Sequence, residues 1–227
     1  MTIWFASGNK HKKKELTDIL AGAIPQSAFE LKIPSDAGLD FDPDESGNTF
    51  LENALIKAKA LHSLLEEKRP DGYQSGDPVI ADDSGICVDA LGGRPGIYSA
   101  RYSGSKDLSQ GCVEASVSGA KLPDTERNAL LLSELGDNPM RNARFVCAMV
   151  LYFSPDRFYI AQETMEGELV KDFESGRGSG GFGYDPILYI PAMGRTVAEL
   201  SDEEKNRSSH RGKAGRVIAK ILEEIRY

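Results

Sequence analysis

TIWFASGNKHKKKE, residues 2–15, reads as a strand, a turn and the start of a helix, and the fold class follows from that order. Thr2 to Ala6 form a short apolar run with the length and the aromatic and branched character of a buried strand. Ser7-Gly8-Asn9 is a turn-forming trio that stops it. Beyond the turn the chain is basic, and Leu16, Ile19, Leu20 and Ala23 then fall on one helical face.

The rest of the chain continues the mixture. Residues 34–48 are polar, rich in Asp, Pro, Gly and Ser, and read as a loop. Thr49 and Glu52 make a T-x-x-E capping box, after which Phe50, Ala54, Ala58, Leu61 and Leu65 form a buried stripe ending before Pro70. RPDGYQSGDP, residues 69–78, is a loop. Val79-Ile80-Ala81 is a short apolar strand that runs into Asp82-Asp83-Ser84-Gly85. LGGRPGIYSARYSG, residues 91–104, holds too much Gly and Pro for regular structure, and residues 105–140 are weakly patterned apart from a helix expected at Glu126 to Leu135. Strands are expected at Arg144 to Phe153 and Phe158 to Met165, joined by Ser154-Pro155-Asp156. GRGSGGFGYDPILYIP, residues 176–191, combines a glycine-rich loop with a strand from Ile187 to Ile190. Ser201 and Glu204 form a second capping box opening a short helix through Lys205, and a last helix is expected from Lys213 to Glu224. The expected fold is α/β: a mixed twisted sheet flanked by helices, with polar loops converging on a cleft.

At 227 residues the chain is long enough for one to two domains of about 150 residues. A composition of 40% hydrophobic, 27% charged and 8% aromatic residues is that of a globular protein. No run approaches the ~18 consecutive apolar residues of a membrane span, so no membrane partner is expected. Apolar residues precede basic ones at the start of the chain, the reverse of a secretory signal, and a cytoplasmic location is expected. Cys87, Cys112 and Cys147 are sparse and unpaired by spacing, which fits a reducing compartment and offers no zinc site. A net charge of −8 argues against nucleic acid as a partner, where basic excess supplies affinity. It still permits a triphosphate wherever positive charge gathers locally.

Four segments are candidates for chemistry. SGNKHKKKE, residues 7–15, offers free backbone N–H groups and a helix dipole to phosphate, with Asn9 as amide donor and Lys10 or Lys12 as countercharge. It lacks the G-x-x-x-x-G-K-[ST] of a Walker loop, and a plain turn before a solvated basic face is the other reading. Lysines at a helix start oppose the dipole, which points to an anionic ligand. Asp82 and Asp83 end an apolar strand, where sheet proteins place ligands, and hard oxygens suit Mg²⁺; an Asp-rich turn capping a helix is the alternative. Glu45, near Asp42 and Asp44, is a further carboxylate in the preceding loop, unless it is simply solvated. GSGGFGYD, residues 178–185, allows close backbone approach and offers Phe182 or Tyr184 for stacking, although turn and core packing also explain such a loop. KNRSSHR, residues 205–211, gathers Lys205, His210 and Arg211 as donors to a carbonyl or phosphate, or else is an exposed polar linker.

In this order SGNKHKKKE, TFLENALIKAKA, ADDSGICVDALGGRPGIYSARYSG, GGFGYDPI and TVAELSDEEKNRSSHRGKA resemble the inosine triphosphate pyrophosphatase family. The 24-residue run from Ala81 is the most specific of the five. The resemblance implies hydrolysis of deaminated purine nucleotides such as ITP, dITP and XTP to monophosphate and pyrophosphate. It implies a single domain over residues 1–227, with two lobes around a central nucleotide-binding cleft, and a homodimer. Carried onto matching positions, Ser7, Gly8, Asn9, Lys10, His11 and Lys12 form the triphosphate turn, with Asn9 and Lys12 the main side-chain contacts. Glu45 and Asp83 hold Mg²⁺, Asp83 also acts as general base, and Ser84 touches the substrate. Phe182 stacks on the purine with support from Gly183, Tyr184 and Asp185, while Lys205, His210 and Arg211 contact the base and its 6-oxo group.

Two features depart from the family pattern. Lys10-His11 stands where a small residue is common, and residues 66–77 and 105–140 are longer than the usual connections. The nearest competing identity is a Maf-type pyrophosphatase for pyrimidine or modified nucleotides. Its Ser-Pro-Arg-Arg opening is replaced here by Ser7-Gly8-Asn9. A nucleotide-binding protein without catalysis is the other, and the pairing of Glu45 with Asp83 speaks against it.

Overall fold

The computed structural model describes residues 1–103, 122–173, 178 and 180–225. Gly104, Cys112, the weakly patterned stretch up to residue 121 and residues 174–177 and 179 of the glycine-rich run lie outside them. The strands are β1 (Thr2–Phe5), β2 (Glu30–Lys32), β3 (Val79–Val88), β4 (Asn142–Ser154), β5 (Arg157–Leu169), β6 (Leu188–Ile190) and β7 (Arg195–Thr196). The helices are α1 (Lys10–Ala21), α2 (Phe50–Lys68), α3 (Asp124–Leu135), α4 (Asp202–Ser208) and α5 (His210–Ile225). The strands hydrogen-bond in the order β2-β1-β3-β4-β5-β6-β7. β1 is parallel to β2 and β3, while β5/β6 and β6/β7 are antiparallel, so the sheet is mixed. Pro155-Asp156 joins β4 to β5 in two residues, a connection available only to antiparallel neighbours.

Two compact units are present. The first comprises Met1–Ser84, Val146–Thr164 and Asn206–Tyr227. Strand alternation in it supplies two cores. Ile3 and Phe5 of β1, Ile80 of β3 and Cys147, Met149 and Leu151 of β4 pack with Leu16 and Leu20 of α1 and Ile218 and Leu222 of α5. Trp4, Val79, Ala81, Ala148, Val150 and Tyr152 face the other way, toward Ala54, Ala58, Leu61 and Leu65 of α2. Period-two strands buried on both faces account for the near-continuous apolar runs. Each fully buried Leu or Ile contributes about 1.5–3 kcal/mol. A Cβ on Gly215 would lie 2.8 Å from Ile19 Cγ2, so glycine permits the close approach of α5 to α1.

α2 starts at Thr49, whose Oγ1 accepts from the Glu52 N–H at 3.1 Å. The returning carboxylate takes the Asn48 N–H, at 2.6 Å, one residue ahead of the expected box. The second unit comprises Gly85–Phe145 and Met165–Lys205. Its core joins Ile86 and Val88 of β3, Leu131, Leu132 and Leu135 of α3, Phe145, Met165 and Leu169 with Tyr184, Ile187 and Leu188.

Three local expectations change. β3 does not stop at Ala81 but continues through Asp82-Asp83-Ser84-Gly85 to Val88, so the acidic pair is strand and not a helix-capping turn. The Gly/Pro-rich segment forms two short 3₁₀ turns, Asp89–Leu91 and Gly96–Arg101. The last helix begins at His210, three residues before Lys213, because Ser209 Oγ accepts the Gly212 N–H at 3.0 Å as an N-cap.

Candidate active site

The alternation of β3 separates two adjacent carboxylates. Asp82 shares the face of Ile80, covered by α1 and α5; Asp83 shares the face of Val79 and Ala81, covered by α2. Each therefore hydrogen-bonds to its own cations, and the two carboxylates point to opposite faces.

On the α1/α5 face, Lys12 Nζ donates to both oxygens of Asp82, at 3.1 and 3.0 Å. Arg211 Nε and Nη2 reach Asp82 Oδ2 at 3.2 and 3.1 Å, Nη1 reaches Glu15 at 2.8 Å and Nη2 reaches Ser84 Oγ at 2.9 Å. Burial alone would raise the Asp82 carboxyl, but Lys12, Arg211 and Lys57 together hold it well below the usual range. Burial disfavours the Arg211 charge, and Asp82 and Glu15 more than offset it. Asp82 is thus a fixed anion that organises Lys12, Ser84 and Arg211.

On the α2 face, Lys57 Nζ bridges Asp83 Oδ1 at 2.9 Å and Glu45 Oε2 at 3.2 Å. Asn53 Nδ2 donates to Asp83 Oδ2 at 3.3 Å, while Asn53 Oδ1 accepts the Gly47 N–H at 2.8 Å. A Cβ on Gly47 would sit 2.7 Å from that same Oδ1. The bonds of Gly47 to Asn53 and of Asn48 to Glu52 fasten the loop that carries Glu45 to the first turn of α2. Burial pushes the Asp83 carboxyl up, Lys57 opposes that and Glu45 adds to it, with a net upward shift. Burial lowers Lys57, but Asp83, Asp82 and Glu45 raise it overall.

Two hard carboxylates bridged by one ammonium make a donor set suited to a divalent cation that takes its other ligands from phosphate and water. Among the described residues no group of three or more His, Cys, Asp or Glu side chains is placed to hold a metal ion alone. Glu45 and Asp83 fit Mg²⁺ in that partial manner.

The turn before α1 lies where its sequence implies, but two of the backbone N–H groups expected to be free for a ligand are taken up within it. Asn9 Oδ1 caps the helix by accepting from the N–H groups of His11 and Lys12, at 2.9 and 3.2 Å, and Ser7 Oγ accepts the Asn9 N–H at 3.1 Å. Cap duty uses the Asn9 oxygen, leaving Nδ2 as its donor. Lys10 and His11 are exposed, and a Cβ on Gly8 would meet nothing within 4 Å.

In the second unit Phe182, Gly183, Tyr184, Asp185 and Lys205 come together. Asp185 Oδ2 accepts the Phe182 N–H at 2.9 Å and the Lys205 ammonium at 2.8 Å. Lys205 Nζ stands 4.6 Å from the centre of the Phe182 ring, a cation–π arrangement. Tyr184 is buried in the core, its hydroxyl on the Ser99 carbonyl at 2.9 Å, whereas Phe182 is half-buried. The expected trio of Lys205, His210 and Arg211 divides: Lys205 binds Asp185, Arg211 binds Asp82, Glu15 and Ser84, and His210 is buried in the first turn of α5.

Lys57 and Asn53 were not among the expected site residues. Their signal is a pair of polar residues four apart, Asn53 and Lys57, beside the apolar stripe at 54, 58, 61 and 65; a polar residue there is buried and needs a partner.

Comparison with known proteins matches a family model described as "Ham1 family" over residues 3–221. A dITP/XTP pyrophosphatase of Treponema denticola is 43% identical over 98% of this chain and 98% of its own. One from Geobacillus kaustophilus is 42% identical, over 98% of this chain and 95% of its own. The solved structure of the Staphylococcus aureus Ham1 protein aligns with a TM-score of 0.76 at 34% identity, covering 99% of this chain and all of the other. That of a Coxiella burnetii HAM1 protein aligns equally well, at 0.76 and 33% identity over 99% of each chain.

Proposed function

The chain belongs to the Ham1 family, and from that premise we propose that it hydrolyses deaminated purine nucleoside triphosphates (ITP, dITP and XTP) to monophosphate and pyrophosphate, clearing them from the nucleotide pool. The observation that carries the chemistry is the Glu45–Lys57–Asp83 bridge. A hydrolase for a triphosphate needs a cation site, a base and a countercharge, and these three side chains supply them.

Glu45 and Asp83 would hold Mg²⁺, which would offset the phosphate charge that repels a nucleophile. Asp83, its carboxyl raised by burial, accepts a proton from the attacking water. The water oxygen bonds to the α-phosphorus, the bond to the β-phosphate bridging oxygen breaks, and pyrophosphate leaves with the electron pair. Lys57, Lys12 and the turn before α1, with Ser7, Gly8, the Asn9 amide and the exposed Lys10 and His11, meet the charge of the polyphosphate. Ser84 also contacts substrate, its hydroxyl oriented by Arg211. Arg211 enters the reading chiefly as the residue that holds Asp82 and Ser84 in place.

Base selection falls to Phe182 as stacking surface and to Lys205, with His210, as donors toward the 6-oxo group. Adenine presents an amino donor at that position, and mispairing donor with donor costs roughly 1–3 kcal/mol per buried group. We assign the whole chain to one functional domain acting as a homodimer in the cytoplasm. No described helix is long and apolar enough to cross a membrane.

The test is pyrophosphate release, read by malachite green after added inorganic pyrophosphatase, from ITP, dITP, XTP, ATP and GTP with and without Mg²⁺. Fast release from the deaminated nucleotides and much slower release from ATP and GTP are expected. Equal rates across the panel would sink the specificity, and undiminished rates in chelator would remove the metal.

A further inference from the structure

Every polar backbone group of Phe182 and Gly183 is held. Asp185 takes the Phe182 N–H at 2.9 Å, and its own N–H reaches the Phe182 carbonyl at 3.3 Å. The Gly183 N–H donates to Asp124 Oδ2 at 2.6 Å, and Asn128 Nδ2 donates to the Gly183 carbonyl at 3.0 Å. The first two bonds lie within the loop; the last two come from α3, more than fifty positions away in sequence. Gly183 has φ +64, a conformation that glycine tolerates and other residues rarely adopt.

α3 is itself well fixed. Leu131, Leu132 and Leu135 anchor it in the core of the second unit. Arg127 ties down its first turn, pairing with Asp124 Oδ1 and donating to the Ala100 carbonyl at 2.7 Å. Asn128 is 1% exposed, and its Oδ1 has no hydrogen-bond partner among the described residues. A buried amide with one end unused is unfavourable for stability, where an apolar residue would serve better. Its presence is explained by the bond its other end makes to Gly183.

We propose that Asp124 and Asn128 are positioning residues for base recognition: α3 grips Gly183 by both polar groups and so holds the Phe182 ring ready for the purine. The inference rests on the stacking role given to Phe182 above. Preorganised aromatic platforms bind better because less freedom is lost on binding.

The experiment compares the parent with Asn128→Ala and Asp124→Ala, reading KM and kcat for ITP and the inhibition constant of tripolyphosphate, a competitor with no base. Asp124 is half-exposed at its side chain and keeps the experiment decisive where the buried Asn128 variant fails to fold. Loss of one hydrogen bond predicts a rise in KM for ITP of about fivefold to tenfold, with kcat changed less than about twofold and tripolyphosphate inhibition unmoved. KM unchanged in folded Asp124→Ala overturns the proposal. So does a parallel weakening of tripolyphosphate, since damage would then not be confined to the base. A parent protein that releases no pyrophosphate from ITP fails at the activity itself, and the inference falls with it.

Discussion

Replacing Asp82 by Asn should cost far more stability than replacing Asp83, although the two are neighbours in one strand. The Asp82 carboxylate is wholly buried and shared between Lys12 and Arg211, and its loss leaves those cations facing a neutral amide. Breaking a buried ion pair costs about 3–5 kcal/mol. The lower end applies, because Arg211 keeps Glu15 and Ser84, and the Lys12 side chain, 18% exposed, retains some water. For a chain of this size ~3 kcal/mol corresponds to a fall in Tm of about 6–12 °C. The sign of the pH dependence follows from the depressed Asp82 carboxyl. Its stabilisation is complete above the unfolded value near 3.9 and is lost as pH falls toward the folded one, so the gap between parent and variant narrows below about pH 4. Asp83 has the opposite shift: burial makes its ionised form costly in the fold and Asn removes that cost, which offsets the loss of its pair with Lys57, an ammonium that keeps Glu45 at 3.2 Å. Asp83→Asn should keep Tm within about 3 °C of the parent, less than 1.5 kcal/mol, while turnover falls by orders of magnitude. Calorimetry at pH 7 and pH 3.5, with ITP turnover alongside, decides it. Equal losses of stability in the two variants, or the greater loss in Asp83→Asn, would refute the opposed-face reasoning.

Lys57→Met should raise KM for ITP and lower kcat. Lys57 also lowers the Asp83 carboxyl, so the acid limb of kcat/KM should move to higher pH in the variant; a limb that stays put disconnects Lys57 from the base. Phe182→Ala should lower kcat/KM for ITP by about tenfold to a hundredfold, the 1–3 kcal/mol of a base–aromatic stack, without changing Tm by more than a few degrees. Gly85→Ala places a Cβ 2.4 Å from the Gly96 carbonyl oxygen and from Ser99 Oγ, both in the second unit, and a Tm drop of several degrees is expected in a thermal scan. An unchanged Tm there would mean the 3₁₀ turn at Gly96–Arg101 shifts without cost.

The mixed fold was legible because its elements carry strong local patterns: TIWFA before Ser7-Gly8-Asn9, the capped stripe of α2, and the hairpin around Pro155-Asp156. β2 was not read, since three residues, Glu30–Lys32, are too few to show a period. The extension of β3 through Asp82-Asp83 ran against low strand propensity for Asp, which the flanking cations override. The turn at Ser7-Gly8-Asn9, the two carboxylates and Phe182 stood out as motif residues. Lys57 was hidden by its position within an apolar helix face, and Asn128 by a helix read only for its leucines. The partition of Lys205 from Arg211 depends on which acid each one meets, Asp185 or Asp82, and no spacing along the chain encodes that.

The alternation of β3 also makes this segment intolerant of length change. Pairing of Trp4 with Val79 and of Phe5 with Ile80 sets the phase of the strand from its first residues. Deleting one residue between Ile80 and Asp82 would turn every following side chain through half a turn. Asp83 would then meet Arg211 and Lys12, and Ser84 would face Lys57. A protein altered by a single codon would keep all its other motifs intact and still have one acid moved into the other's place and a hydroxyl left opposite Lys57. In related chains, insertions and deletions should therefore gather in the loops on either side of β3 and spare the strand itself.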